Sequence, residues 1–398
     1  MKAFKYRLYP NEETEQRLQW VLGRCRELYN AALQERKEAY KMAGRSVSYY
    51  EQKRDLVEIK EEIRPEYQEI ASHVLQDVIL RVKKAYDSFF RRVKNGEKPG
   101  HPRFQGRDRY GSFTYPDIAG WKLEGNKLHL SKIGTVKIKL HRKLAGKIKT
   151  VTIKREGPHW YVTFSCEVEQ QVTSPYTDDA VGIDLGLLHF ATLSTGDTIE
   201  NPRYYRKAEK KLEKAQQALA RKKRGSHRRK KAVQRVAKCH RKVRNQRKDF
   251  LHKQSRQLIN TYETIVFEDI KPGNLSKAPK PKQDENGKYL PNGASQKAGL
   301  NKSILDAGWS QFIQYCEYKA ACAGTVQVVR VDPRYTSQIC CSCGQVRKKE
   351  LSERWHSCEC GCELDRDHNA AKNIRALGLK KVLVGTQPTG QPVEAPCL

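Results

Sequence analysis

The chain has 398 residues, with 77 Lys and Arg against 45 Asp and Glu, a formal net charge of +32. That length provides for about two or three domains of roughly 150 residues, and no apolar run reaches the ~20 residues of a membrane-spanning helix. The opening MKAFKYRLYP also lacks the apolar centre of a secretory signal. The chain is therefore expected inside the cell, where so large a positive surplus selects a polyanion, nucleic acid or an acidic membrane face.

In chain order, Phe4, Tyr6 and Leu8 alternate with Lys5 and Arg7, the period of a strand. Pro10 and Asn11 then open a helix whose apolar stripe is Leu18, Val21, Leu22, Cys25, Leu28, Tyr29 and Ala32. A polar helix is predicted over about 49–63. A third is predicted over about 66–93, with Val74, Leu75, Val78, Val82, Ala85 and Phe89 on one face. From Phe113 to Val172 the period becomes two, and KLHLSK, TVKIKL, TVTIKR and WYVTFSCEV read as strands of a small barrel or twisted sheet with one basic face. The strand at 3–9 is a candidate member of that sheet, which makes the helices an insertion.

VGIDLG is a short, almost wholly apolar strand, continued by HFATLSTG and TIENP. Residues 203–256 then hold 23 Lys and Arg but only three acids. Leu212, Leu219, Val233, Val236 and Leu251, with Gly225 and Ser226 midway, predict two long helices joined by a turn. Cations this dense repel one another by on the order of several kcal/mol unless an anion lies alongside. Arg221, Arg224, Arg228, Arg229, Lys230, Lys231, Arg241 and Arg244 are therefore candidate phosphate contacts. TYETIVFEDI is the next buried strand, followed by a loop of about 28 residues rich in Pro, Gly, Lys and Asn, read as mobile. An amphipathic helix over 301–322, turning Ile304, Leu305, Phe312, Ile313 and Cys316 inward, precedes the strand TVQVVRVDP and a last helix, RDHNAAKNIRALG.

Two constellations carry chemistry. Six of the twelve cysteines, Cys340, Cys341, Cys343, Cys358, Cys360 and Cys362, fall within 23 residues, a clustering that points to metal rather than disulfides. Cys340-x-x-Cys343 has zinc-knuckle spacing and Cys358-x-Cys360 supplies a second pair, so four thiolates close one tetrahedral structural zinc site. The second pair is one residue short of the usual spacing, which leaves Cys362 competing with Cys358 for a place, and Cys341 as a weaker competitor.

The acids form the other constellation. Asp184 lies within one apolar strand and Glu268 at the end of another, where a charge costs on the order of several kcal/mol unless a cation or partner meets it. Asp367 begins a helix, whose positive end helps keep it ionised. Three carboxylates from two strand ends and a helix start suit a pair of divalent ions about 3.5–4 Å apart, which activate a water and stabilise the leaving oxygen of a phosphodiester. Asp269 and Asp365 are expected to point elsewhere by strand or helix phase.

VGIDLGLLHFATLSTGDTIENP, HRKVRNQRKDFLHKQS, IVFEDIKPGNL and YTSQICCSCG…CECGCELDRDHNAAKNI follow one another here, preceded by KAFKYRLYP and PRFQGRDRYGSFTYP. In these motifs the chain resembles TnpB, the RNA-guided DNA endonuclease family of bacterial insertion sequences related to type V CRISPR effectors, over about residues 1–380. The resemblance implies an α/β, RNase H-like RuvC nuclease domain over 179–335 with a basic helical insertion at 203–260. A zinc ribbon would cover 336–364, a last RuvC segment 365–380, and a flexible tail 381–398. A β-barrel wedge domain would be built from 1–10 and 109–178 and carry a helical recognition lobe over 11–108.

In this family the three RuvC acids correspond to Asp184, Glu268 and Asp367, which hold two Mg2+ (or Mn2+), beside one structural Zn2+. The implied partners are a non-coding guide RNA and double-stranded target DNA beside a short flanking motif, with one nuclease site cutting both strands. The ribonucleoprotein would be monomeric in protein, cytoplasmic in a bacterium or archaeon, and nucleoid-associated when bound to DNA. Tyr49, Tyr50, Phe104 and Tyr115 are candidate contacts to the flanking motif. A nuclease-dead, RNA-guided regulator is disfavoured because all three acids are present. A transposase acting directly on DNA ends is disfavoured because the eleven histidines form no H-x-H pair.

Overall fold

A computed structural model describes residues 1–107, 109–168, 179–350 and 353–385. The chain divides into two units, Met1–Glu169 and Gln170–Leu398. The sequence-predicted tail beyond residue 385, the junction at 178–179 on its N-terminal side and Cys397 lie outside the described residues.

In the first unit, strand β1 (Lys2–Tyr9) buries Phe4, Tyr6 and Leu8. Asn11 caps helix α1 (Glu12–Ala43), its side chain accepting from the Thr14 amide at 2.9 Å, and Ser48 with Glu51 forms a reciprocal capping box for α2 (Tyr49–Glu58). The helix expected over 49–63 changes form early. Residues 59–63 make a wider π turn, Pro65 starts a 3-10 turn that buries Tyr67, and α3 runs from Ser72 to Lys94. Proline is the cause: it disfavours helical geometry in the residue before it, and Arg64 accordingly sits at φ −137.

Strands β2 (Ser112–Tyr115), β3 (Trp121–Glu124), β4 (Lys127–Leu130), β5 (Gly134–Lys139), β6 (Lys147–Glu156) and β7 (His159–Glu167) complete an antiparallel sheet in the order β2-β6-β7-β1-β5-β4-β3. The N-terminal strand is thus hydrogen-bonded between β5 and β7. The sheet curls almost to a barrel: the Tyr115 hydroxyl on edge strand β2 donates to the Ser131 carbonyl at 2.9 Å, and its ring lies against Gly120, beside the other edge. Helices α1 and α3 share one continuous apolar core with this sheet. Tyr115 is 1 % exposed within that core, which removes it as a nucleic-acid contact, whereas Tyr50 and Phe104 are exposed.

In the second unit, β8 (Ala180–Asp184), β9 (His189–Leu193) and β10 (Thr198–Glu200) form an antiparallel meander. Helices α4 (Tyr204–Ala220) and α5 (His227–Thr261) follow, α5 capped by the Ser226 hydroxyl, which accepts from the Arg229 amide at 3.1 Å. Their apolar seam differs from the expected one: Ala232 and Val243 are buried while Val233 faces solvent. The C-terminal half of α5 places Leu251, Leu258 and Ile259 in the core of the α/β sheet, so the basic hairpin is continuous with that core. After β11 (Thr264–Glu268), the segment read as a mobile loop contains a one-turn helix, α6 (Pro272–Leu275), and a small hairpin of β12 (Lys282–Gln283) and β13 (Tyr289–Leu290).

The single helix expected over 301–322 is two, α7 (Ala294–Ala307) and α8 (Trp309–Ala323). Gly308 takes φ +74 between them, and a Cβ there would lie 3.2 Å from Cδ of Arg247. The break leaves Leu305 exposed, against expectation, while Phe312, Ile313 and Cys316 reach the core. Strand β14 (Gln327–Val331), the hairpin β15 (Trp355–Ser357) and β16 (Glu363–Asp365), and α9 (Arg366–Gly385) complete the unit. The main sheet runs β10-β9-β8-β11-β14, with β8, β11 and β14 parallel. Because successive strand residues face opposite ways, Ile265 and Phe267 pack on α5, α7 and α8 while Val266, with Val329 and Val331, packs on Ile374 of α9. No helix among the described residues is long and apolar enough to cross a membrane.

Candidate metal centres and nucleic-acid surface

The parallel register that pairs Ile183 with Phe267 brings Asp184 and Glu268, each the last residue of its strand, to the same end of the sheet. Helix α9 reaches that end because residue 182 is glycine: a Cβ there would stand 2.1 Å from the Ala371 carbonyl oxygen. The helix starts where it does because Asp365 caps it, Oδ1 accepting from the amides of Asp367 at 2.8 Å and His368 at 3.2 Å. Asp269 faces Arg330, at 3.4 Å, and Lys271. Both neighbours thus have partners of their own, as Asp367 has in Arg366, whose Nε lies 3.6 Å from its Oδ1.

Three acids, Glu268, Asp367 and Asp365, act on the buried Asp184 carboxyl. Burial pushes the Asp184 carboxyl well above the usual range, and the charges of Glu268 and then Asp367 push it the same way, with Arg366 opposing them. Burial also raises Glu268, offset by the Thr336 hydroxyl that donates to Oε1. Like charges forced together in a low-dielectric setting favour a bound cation, which reverses the repulsion. The carboxylate oxygens do not all lie within 4.8 Å of one another, as the ligands of a single closed site would; the described groups that do so are cysteine sets.

In the first such set, Sγ atoms of Cys340, Cys343, Cys358 and Cys360 converge, with Cys340 and Cys360 at 3.7 Å and Cys343 and Cys358 at 3.5 Å. Burial raises the Cys340 thiol, but amides of Cys343 and Ser342 and the His356 ring prevail and hold it down to about 5. The Cys362 amide lowers Cys360, yet the thiols of Cys343 and Cys358 push it up to about 12. Four sulfurs with no open position suit structural Zn2+. Cys362 belongs to a second convergent group with His356 and Cys340, which the two groups share, and its sulfur is 4.0 Å from that of Cys341.

The basic hairpin separates its predicted contacts. Arg221, Arg224, Arg228, Lys230, Lys231 and Arg244 are exposed, and Arg241 is half-buried. Arg229 is partly buried, and its Nη1 donates to the carbonyls of Lys222 at 2.9 Å and Leu219 at 3.2 Å. Through Nη1 it closes the end of α4. Sequence reasoning did not find the roles of Gly182, Thr336 or Asn369, whose buried side chain bonds the Ile339 carbonyl and the Cys341 amide at the entry to the ribbon. An Asn or Thr in a helix or loop looks like surface until tertiary structure buries it.

Comparison with known proteins gives three family matches. Residues 163–278 match the IS605 OrfB family, described as a probable transposase; residues 309–374 match the Cas12f1-like TNB domain. Residues 1–45 match a helix-turn-helix domain of the same OrfB proteins, although here they form one strand and one long helix. A protein of Streptomyces pristinaespiralis provisionally named an RNA-guided DNA endonuclease is 35 % identical over 385 residues, covering 95 % of this chain and 89 % of its own. The Escherichia coli K12 protein InsQ, with the same provisional name, is 31 % identical over 400 residues, covering 99 % and 96 %. Among solved structures, Cas12f1 in complex with sgRNA and target DNA shares the fold with a TM-score of 0.54 at 13 % identity, over 92 % of this chain and 83 % of that one.

Proposed function

We propose, from the premise that this chain belongs to the IS605 OrfB (TnpB) family, that it is an RNA-guided DNA endonuclease. The finer reading is a double-strand break made by one site, beside a short flanking motif, with a non-coding RNA as guide. The observation that carries it is that Asp184 and Glu268 end adjacent parallel strands, close enough to Asp367 at the start of α9 that burial first, and then the charges of Glu268 and Asp367, raise the Asp184 carboxyl. A meander of three antiparallel strands extended by two parallel ones fits an RNase H-like RuvC domain. On this reading β1 and the other first-unit strands form the wedge, α1 to α3 the recognition lobe, and 336–364 the ribbon, in the boundaries the sequence suggests.

The three carboxylates would hold Mg2+ or Mn2+, which supplies the Lewis acidity that activates water and steadies the leaving oxygen. The protein's own part is placement. Asp184 and Glu268 are fixed by sheet register, and Asp367 by the Asp365 cap. Cys340, Cys343, Cys358 and Cys360 would hold one structural Zn2+. Base pairing then supplies sequence specificity, so the protein needs charge and shape, which the +32 surplus provides. The complex is read as one protein copy with its RNA, acting in the cytoplasm. The test is plasmid cleavage with a matched guide: wild type should linearise only the matched target. A family match described as a transposase favours a second reading, direct action on DNA ends, and sequencing of co-purifying RNA separates the two.

A further inference from the structure

Between the acid cluster and the ribbon lies a set of buried polar side chains that neither centre uses as a ligand. Thr336 is 3 % exposed, Asn369 0 % and Asn373 8 %. The Thr336 hydroxyl donates to Oε1 of Glu268. Nδ2 of Asn373 donates to the Thr336 carbonyl at 2.8 Å and to the Ile339 carbonyl at 2.7 Å. One helical turn earlier, Nδ2 of Asn369 donates to the same Ile339 carbonyl at 2.7 Å, and its Oδ1 accepts from the Cys341 amide at 3.0 Å. Residues 336–341 lead into the first knuckle, where Cys340 is 1 % exposed. One short segment is therefore bonded to Glu268 at its start, to the helix of Asp367 along its length, and to the zinc site at its end.

Apolar side chains could fill these places with less to satisfy, since each buried amide left unpaired costs about 1–3 kcal/mol. What directed hydrogen bonds add is position. A hydroxyl bonded to one carboxylate oxygen fixes the plane of that carboxylate and leaves its second oxygen free for a ligand. We propose that Thr336, Asn369 and Asn373 form a latch through which the zinc-folded ribbon sets the orientation of Glu268 relative to Asp367, with Thr336 as the positioning residue. This rests on the reading of Glu268 as an ion-binding acid. Thr336 touches neither substrate nor ion; it acts through Glu268, and Asn373 holds Thr336 in place.

The experiment is Mn2+ binding to the full-length, zinc-loaded chain without RNA, read by the electron paramagnetic resonance of free Mn2+. Thr336→Val keeps the shape and removes the donor. It should weaken Mn2+ binding about 10–100-fold, the usual cost of losing a partner of a metal ligand, with zinc content unchanged. Thr336→Ser, which keeps the hydroxyl, should stay within about threefold of wild type. Asn373→Leu should weaken binding about tenfold in the wild-type background and add little to Thr336→Val, because the two act on one hydrogen bond. Mn2+ binding by Thr336→Val equal to wild type, while Glu268→Gln loses it, overturns the latch alone. If Glu268→Gln also binds as wild type does, the ion-site reading falls and the latch with it.

Discussion

The ribbon and the acid cluster are both metal centres on this reading, and they are built in opposite ways. The ribbon gathers its sulfurs from residues 340–360, whereas the carboxylates come from positions 184, 268 and 367. Closing a short loop costs little chain entropy, so spacing alone can declare the ribbon, and a zinc ion supplies the folding energy that so small a segment lacks. The acids depend on strand register, on a glycine that admits a helix and on a capping aspartate, and they repel one another once assembled. On this reading the ribbon would be folded by its ion, whereas the acid site would be held by the fold against a repulsion that its ions relieve.

That contrast can be broken most sharply at the acids. Asp184→Ala, Glu268→Ala and Asp367→Ala should each retain the fold and guide-dependent DNA binding while cleavage of both strands falls by about 1,000-fold or more, the rate equivalent of losing several kcal/mol of charge stabilisation. Plasmid cleavage beside a binding assay on the same target measures both. Near-normal nicking of one strand by any of the three would reveal a second nuclease site.

Cys343→Ser should behave in the opposite manner, losing structure first and activity as a consequence. Wild type should carry about one zinc per chain and the variant none, with amide exchange accelerated over residues 335–365. Cleavage should fall about 10–100-fold, because Asp367 follows the ribbon directly and Glu268 is bonded to the segment that enters it. Normal cleavage without zinc would uncouple the two centres.

The basic hairpin should move neither centre. Replacing Arg228, Lys230 and Lys231 by Ala should weaken RNA binding and flatten its salt dependence by about 0.7–0.9 in log–log slope for each phosphate no longer neutralised. Arg229→Ala should leave that slope unchanged and instead cost about 1 kcal/mol of stability, the typical worth of a hydrogen bond at a helix end. A slope change from Arg229 alone would return it to the RNA surface.

An effect on stability alone is expected at Lys319, buried between α5 and α8, where Nζ donates to the His252 carbonyl at 2.7 Å and to the Ser255 hydroxyl at 2.6 Å. Burial, then the charge of Arg256, pulls its pKa down from 10.5 to about 8. A base lowered on folding binds fewer protons in the native state across that interval, so stability rises as pH climbs from about 8 to 10.5 and the penalty is fully present below it. Lys319→Met should therefore gain stability relative to wild type at pH 7, by at most a few kcal/mol, with the difference shrinking toward pH 10. Thermal denaturation of both chains across this range gives the sign. A difference independent of pH would mean that the two hydrogen bonds, not desolvation, dominate at this lysine.

Much was legible in the sequence because it is local. Alternation of Phe4, Tyr6 and Leu8 marks a strand, helical spacing marks α1 and α3, and the density of Lys and Arg over 203–256 marks a strongly basic hairpin surface, since these patterns repeat over a few residues of chain. Cys340 and Cys343 with a second cysteine pair announce a thiolate site for the same reason, whereas the sulfurs that gather around them, Cys358 and Cys360 in one group and Cys362 with His356 in another, appear only in the folded knuckles. Tertiary structure alone decided what depends on the meeting of distant segments. It broke one expected helix at Gly308, buried Tyr115, turned Arg229 onto the end of α4 and tied Glu268 to Thr336. A side chain's type limits what it can do, but burial and partners choose among those uses, and both are set by residues far away in the chain.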